Sequence, residues 1–188
     1  PQQIKTAPEL TQLTLVSRTL PEDKDESTKT YSELYEISVL LFSSKAKNDA
    51  PDDESVIEYK GSVEILEMEF TRRPSTSPFR LAVAEENPGS SGPSLQSSFW
   101  QGAMVAALHE SDNLSGVRVT FTVPSNIDGP SAGAVSSLTL LSAMNRKKLP
   151  NDFTFTGSIL PDGTIGHVGG MVEKLRATKE LAESRGFN

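Results

Sequence analysis

Cysteine is absent from the 188 residues, which removes disulfide frameworks, thiolate zinc sites and cysteine nucleophiles from consideration. The compartment stays open, because a chain without Cys suits either side of a membrane. Histidine is nearly as scarce: His109 and His167 lie far apart in sequence, and neither sits in a paired ligand motif such as H-E-x-x-H. No metal site is expected. Cations are outnumbered, with 18 Lys+Arg against 25 Asp+Glu and a net charge of −7, the wrong sign for a chain whose affinity would come from neutralising phosphates. No nucleic-acid partner is expected, although a local basic patch stays open. No apolar run reaches the length of a membrane span, and Pro1 to Glu9 lack the charged-then-apolar layout of a signal peptide. No membrane insertion is expected of this segment. Nor is there a G-x-x-x-x-G-K-[ST] phosphate loop: Gly163, Gly166, Gly169 and Gly170 are explained more cheaply by a hairpin and the start of a helix. No cofactor is expected in this chain, and ATP would enter only through a motor domain elsewhere.

What is present suits one domain with a substantial core, since 36% of the residues are hydrophobic. Residues 1–33 read as an extension or linker, because Pro21 to Thr28 is charged and has nothing to bury. The domain is expected over 34–188. Tyr35 to Phe42 reads as a strand, followed by an acidic loop from Ser43 to Ser55. Ser62 to Phe70 alternates apolar residues with Glu64, Glu67 and Glu69, with one slip that suggests a bulge. Phe79 to Ala84 is a further short strand. From Ser94 the spacing of Phe99, Ala103, Ala106/Ala107 and Glu110 predicts a helix, with Trp100 and Met104 on an adjoining stripe.

Val117 to Val123 is the cleanest alternating strand. A turn from Pro124 to Pro130 leads to a helix from Ser131 to about Asn145 with a buried stripe of Val135, Leu138, Leu141 and Ser142. Asn151 to Ile159 reads as a strand, Pro161 to Gly163 as a tight turn and Thr164 to Val168 as its return. A last helix, Met171 to Ser184, opens through Gly169-Gly170 and stops at Gly186. Strands and helices interspersed in this way define an α+β (mixed α/β) class.

The chemistry concentrates in Asp128-Gly-Pro-Ser-Ala-Gly133. Pro130 presets φ for a first helical position, so Ser131 falls in the first turn, where backbone N–H groups have no intrahelical partner. A nucleophilic oxygen beside such donors is where acyl transfer would want it. A first-turn capping serine is the competing reading of the hexapeptide. A serine hydroxyl also needs a proton acceptor, and Lys174 is the economical candidate. Helical spacing aligns it with Met171, Thr178 and Leu181, on or beside the apolar face, and burial lowers a lysine pKa. A lysine whose stem packs while its head reaches solvent is the ordinary alternative. Asp128 either braces its own turn by accepting backbone N–H groups or pairs with Lys174 in a resting state.

Asp128-Gly-Pro-Ser-Ala-Gly133, with Thr156-Gly157, Ile165, Val168-Gly-Gly170 and Glu173-Lys174, resembles the proteolytic domain of Lon and Lon-like Ser/Lys peptidases. The resemblance covers about Val117 to Gly186. It implies the Lon proteolytic-domain fold, a mixed sheet with helices packed on it, and a serine endopeptidase working through an acyl-enzyme. It implies Ser131 as nucleophile, Lys174 as general base and Thr156 as a residue holding the lysine, with Asp128 and Gly129 supporting. It also implies unfolded or damaged protein substrates and a homo-oligomer such as a hexameric ring. Where many members have Glu after T-G this chain has Ser158, and where they have histidines on the preceding strand it has Thr120 and Thr122. Most members continue into another strand and further helices, whereas this sequence stops at Asn188, so a truncated C-terminal part is expected. The alternative from another class is a non-catalytic assembly or binding module on the same fold. Such modules have typically lost the serine or the lysine, and both are present here.

Overall fold

The computed structural model describes residues 29–47, 56–150 and 153–184. Its backbone is a four-stranded mixed sheet with helices packed on it, an α+β architecture. Strands β1 (Tyr31–Lys47) and β2 (Val56–Arg72) form a long antiparallel hairpin, paired without a break from Tyr31 opposite Arg72 to Lys47 opposite Val56. The first strand therefore takes in Tyr31 to Glu33, which the sequence grouped with the extension, and Ser43 to Lys47, expected in the acidic loop. A dedicated partner strand supplies backbone hydrogen bonds even where the side chains are polar. Residues 1–28 of the expected extension and 48–55 of the expected loop lie outside the described residues.

The expected bulge in β2 is absent, since its register with β1 never slips. Instead the strand is deeply buried only over its second half. Leu66, Met68 and Phe70 are fully buried in the main core, while on the opposite face Gly61 and Val63 are half-buried and Ile65 is exposed. That second face meets the last helix near Gly61, and the exposed Ile65 is what reads in sequence like a change of phase.

Strand β3 (Arg80–Glu85) leads through helix α1 (Pro93–Glu110) to strand β4 (Val117–Val123), which runs parallel to β3 and antiparallel to β2. The sheet order is β1-β2-β4-β3. Val117, Val119, Phe121 and Val123 point inward and are buried, as their alternation predicts, and Phe121 stacks on Phe99 of α1 with ring centroids 4.0 Å apart. Glu110, which shares the helical spacing of Phe99, Ala103 and Ala106/Ala107, is exposed at the end of α1. Helix α2 (Gly133–Met144) crosses α1 so closely that a Cβ at Gly102 would come within 3.0 Å of the Gly133 carbonyl oxygen. Small residues permit that approach. In consequence α2 is buried nearly all round: Gly133 to Ser137, Thr139, Leu140 and Ala143 are buried, whereas Leu138, Leu141 and Ser142 of the expected stripe are only half-buried. The buried Thr139 hydroxyl donates to the Val135 carbonyl at 2.8 Å, which satisfies it within the helix.

The strand expected over 151–159 shrinks to β5 (Ser158–Ile159), paired antiparallel with β6 (Ile165–Gly166) across the Pro161-Asp-Gly163 turn. Residues 151 and 152 lie outside the described residues, and 153–157 have no sheet partner because their backbone serves another purpose. Gly157 donates to the Ser131 carbonyl and accepts from the Ala134 amide, both at 3.0 Å, tying this segment to the start of α2. Helix α3 (Met171–Ser184) completes the fold, and its expected stop at Gly186 lies outside the described residues.

Two glycines let α3 dock on the β1–β2 hairpin. A Cβ at Gly61 would stand 2.1 Å from the Glu173 carbonyl oxygen, and one at Gly170 would overlap the Phe42 ring, 2.0 Å from Cδ2. Gly170 also has φ of +63, a left-handed conformation that costs a side-chain-bearing residue energy. Gly61→Ala is expected to push α3 off the hairpin and to destabilise the protein by about 1–3 kcal/mol, as overpacking does. Thermal melting checks it: Tm should fall by several degrees, and an unchanged Tm would mean that the helix does not rest there.

Candidate active site

The turn expected to open a helix at Ser131 does so in two stages. Pro130–Ala132 form a single 3₁₀ turn, and the α-helix proper starts at Gly133. Gly129, just before it, has φ of +103 and ψ of 153, backbone geometry that side-chain-bearing residues avoid. Pro130 has no N–H to satisfy, and its fixed φ suits the position. Ser131 is thereby held half-buried at the mouth of α2, with its carbonyl pinned by Gly157.

Lys174 reaches it from α3. The lysine is only 3% exposed, and its Nζ lies 2.9 Å from Ser131 Oγ and 3.2 Å from Thr156 Oγ1. Its backbone is equally fixed: the Lys174 amide donates to the Gly170 carbonyl at 2.9 Å, and the Thr178 hydroxyl donates to the Lys174 carbonyl at 2.9 Å. Among the described residues no carboxylate oxygen stands within 4.0 Å of Nζ. Desolvation by burial pushes the Lys174 pKa below the ordinary lysine value. The amine thus meets two hydroxyls and no counter-charge, an environment that favours its neutral form. Met171, expected on the same apolar face, is instead largely exposed, and Ala177 is the buried neighbour on α3.

Asp128 is turned away from the lysine. Its Oδ1 accepts from the amides of Ser94 and Leu95 at 3.0 and 3.1 Å, in the first turn of α1. Helix α1 needs this, since the residue at its own N-cap is Gly92, which brings no side-chain acceptor. Of the two roles considered for Asp128, the structure shows backbone bracing, though of α1 as well as of its own turn. Hydrogen bonding to the Gly129 amide, followed by the amides of Leu95 and Ser94, holds its carboxyl below the usual range. The segment is further fixed by pairing between Ser90–Gly92 and Ile127, where Ile127 donates to the Ser90 carbonyl at 2.8 Å and Gly92 to the Ile127 carbonyl at 2.9 Å.

Ser131 and Lys174 face a cleft of about 430 Å³, whose walls include Leu41 and Phe42 of β1, Glu64 of β2, and His167. His167 and Glu64 were not among the expected site residues. Nothing in their local sequence marks them, although the position of His167 immediately before Val168-Gly-Gly170 places it beside the start of α3. Among the described residues no helix is long and apolar enough to cross a membrane, and no group of His, Asp or Glu is placed to hold a metal ion.

Residues 96–183 match the sequence profile of the Lon protease (S16) C-terminal proteolytic domain. Over these residues the chain is similar to the Lon proteolytic domain. Individual relatives agree with that placement. The chain is 31% identical to Lon protease 2 of Bacillus subtilis (strain 168) over 64 residues, 34% of this chain and 12% of the relative. It is 42% identical to Lon protease of Clostridioides difficile (strain 630) over 50 residues, 27% of this chain and 6% of the relative. To Lon protease homolog 2, peroxisomal, of Pichia angusta it is 46% identical over 48 residues, 26% of this chain and 5% of the relative. The matched stretch thus spans a small fraction of the length of these curated relatives.

The lowered Lys174 pKa fixes the sign of a pH effect. Between the folded value and about 10.4, the ordinary lysine value, the unfolded chain binds a proton that the folded chain does not, so this group makes stability rise with pH in that window. Denaturant melts of wild type and Lys174→Met from neutral pH to pH 10 should show a slope in wild type that the variant lacks. Equal slopes would mean that the lysine titrates freely in the folded protein.

Proposed function

We propose that this domain is a serine endopeptidase that cleaves peptide bonds of unfolded or damaged proteins through a Ser131/Lys174 dyad. The observation that carries the proposal is the 2.9 Å approach of a buried lysine amine, with no carboxylate partner among the described residues, to a hydroxyl at a helix mouth. Neutral Lys174 takes the Ser131 proton as Oγ attacks the substrate carbonyl, and the amine becomes an ammonium. The oxyanion so formed faces the Ser131 N–H in the first turn, with the positive end of the α2 dipole behind it. The Gly129 amide is engaged by the Asp128 carboxyl, and Pro130 offers no N–H. Protonated Lys174 then gives its proton to the departing amine, leaving an acyl-enzyme on Ser131. Water, deprotonated by the same amine, attacks the ester and releases the new carboxyl end. Thr156 acts as a positioning residue by sharing the amine and holding it toward Ser131.

The contact between both dyad residues favours this reading over a non-catalytic assembly module on the same fold. The chemistry calls on no cofactor within the chain. Assembly into a homo-oligomer, such as a hexameric ring, belongs to the same proposal, as does a single proteolytic unit over 34–188.

Hydrolysis of labelled casein by wild type, Ser131→Ala and Lys174→Ala tests it. Each variant should lose about 10³-fold or more in turnover, since nucleophile and base act as a unit. A variant retaining wild-type turnover would remove its residue from the mechanism. In wild type kcat/KM should rise with pH as Lys174 loses its proton, through a pKa below the ordinary lysine value. Thr156→Ala should move that inflection, which loss of folding alone would not do.

A further inference from the structure

Three arginines converge on the outer face of the sheet, around a cavity that shares no residue with the Ser131 cleft. The parallel register sets Arg80 of β3 directly opposite Arg118 of β4, and the segment after β2 brings Arg73 to the same cavity. Like charges directly opposite on neighbouring strands destabilise a sheet. Among the described residues no Asp or Glu lines the cavity, and Asp112 is already held by Arg72 at 2.6 Å. No ion pair or hydrogen bond engages the three guanidinium groups among the described residues. Blocking aggregation at a sheet edge would explain Arg80 alone. It does not explain Arg118, because β4 is an inner strand between β2 and β3.

The cavity is built rather than incidental. Gly116, at φ of +73, lies so close beneath the loop that a Cβ there would stand 2.2 Å from the Arg73 carbonyl oxygen. Backbone bonds from Gly116 to the Ser77 carbonyl (2.8 Å) and from Arg73 to the Gly116 carbonyl (3.1 Å) hold the loop in place. Ser75 and Ser77, joined by a 2.7 Å hydroxyl contact, line it as well. Its volume of about 190 Å³ is below the roughly 300 Å³ at which drug-sized ligand pockets begin. It is nevertheless about six times the ~30 Å³ share of one water.

We propose that this cavity binds a phosphoryl group. A single carboxylate is satisfied by one bidentate guanidinium, whereas a phosphoryl group brings up to two negative charges and three acceptor oxygens, enough to engage several arginines at once. The group is supplied either as a small inorganic anion or as the terminal phosphate of a nucleotide, whose nucleoside would remain outside the cavity. Binding removes the repulsion between Arg80 and Arg118, so the ligand also stabilises the fold.

The test is isothermal titration calorimetry of the 188-residue protein with pyrophosphate and, separately, with ADP, at ionic strength matched with sodium chloride. At least one should bind saturably. Arg118→Gln and Arg80→Gln should each weaken that binding roughly tenfold or more, the loss expected for one charge-assisted contact. Pyrophosphate binding alone identifies an inorganic ligand, and tighter ADP binding a nucleotide. Thermal melting provides the folding control: without ligand, Arg118→Gln should melt no lower than wild type, because it relieves a like-charge pair. If neither probe binds, or if both variants bind as wild type does, the proposal is wrong.

Discussion

The structure depends on holding one amine out of water. Burying a lysine disfavours its charge and would ordinarily destabilise the fold unless the group were paired. Here the only partners at Lys174 Nζ among the described residues are the hydroxyls of Ser131 and Thr156. Three parts of the chain must therefore be placed to within hydrogen-bonding distance: the mouth of α2, the segment before β5 and the first turn of α3. Each has its own restraint. Gly157 is bonded in both directions to the start of α2, which sets Thr156 beside Ser131. Gly61 and Gly170 allow the first turn of α3 to lie against the β1–β2 hairpin at backbone distance, which sets the height of Lys174 over the cleft.

The same economy governs the turn that carries Ser131. Asp128 serves the start of α1 rather than the lysine, so the N-terminus of one helix is capped from the loop that leads into the next. This coupling keeps a carboxylate away from the amine. A carboxylate beside Lys174 would stabilise the ammonium and remove the base; capping α1 with that carboxylate avoids it while satisfying two orphan N–H groups. The chemistry of the cleft and the packing of α1 on α2 are in this sense a single arrangement.

Much of this was legible from residues alone, where the signal was local. The period of Val117 to Val123 marked a strand, and Pro130 before Ser131 marked a helix mouth. The spacing within Met171 to Ser184 placed Lys174 on a half-hidden face. What was not legible depended on partners distant in sequence. The 17-residue length of β1 and β2 follows from their pairing with each other, and their polar ends carry no period. The adjacent apolar residues Ile65 and Leu66 look like a bulge until Ile65 is seen to be exposed on the opposite face. Asp128 could be assigned two roles because the amides that donate to it, those of Ser94 and Leu95, are more than thirty residues away. His167 and Glu64 enter the cleft by topology alone, and Phe153 to Phe155 read as strand because aromatic composition cannot reveal that the neighbouring Gly157 backbone is spent on α2.

The most direct measurement is a site-resolved NMR titration of the Lys174 side chain in the folded protein, following Cε and Nζ as pH is raised. The account predicts that Lys174 loses its proton well before the other lysines, and that Ser131→Ala perturbs its signal. A Lys174 resonance that titrates together with the surface lysines and is indifferent to Ser131 would contradict it.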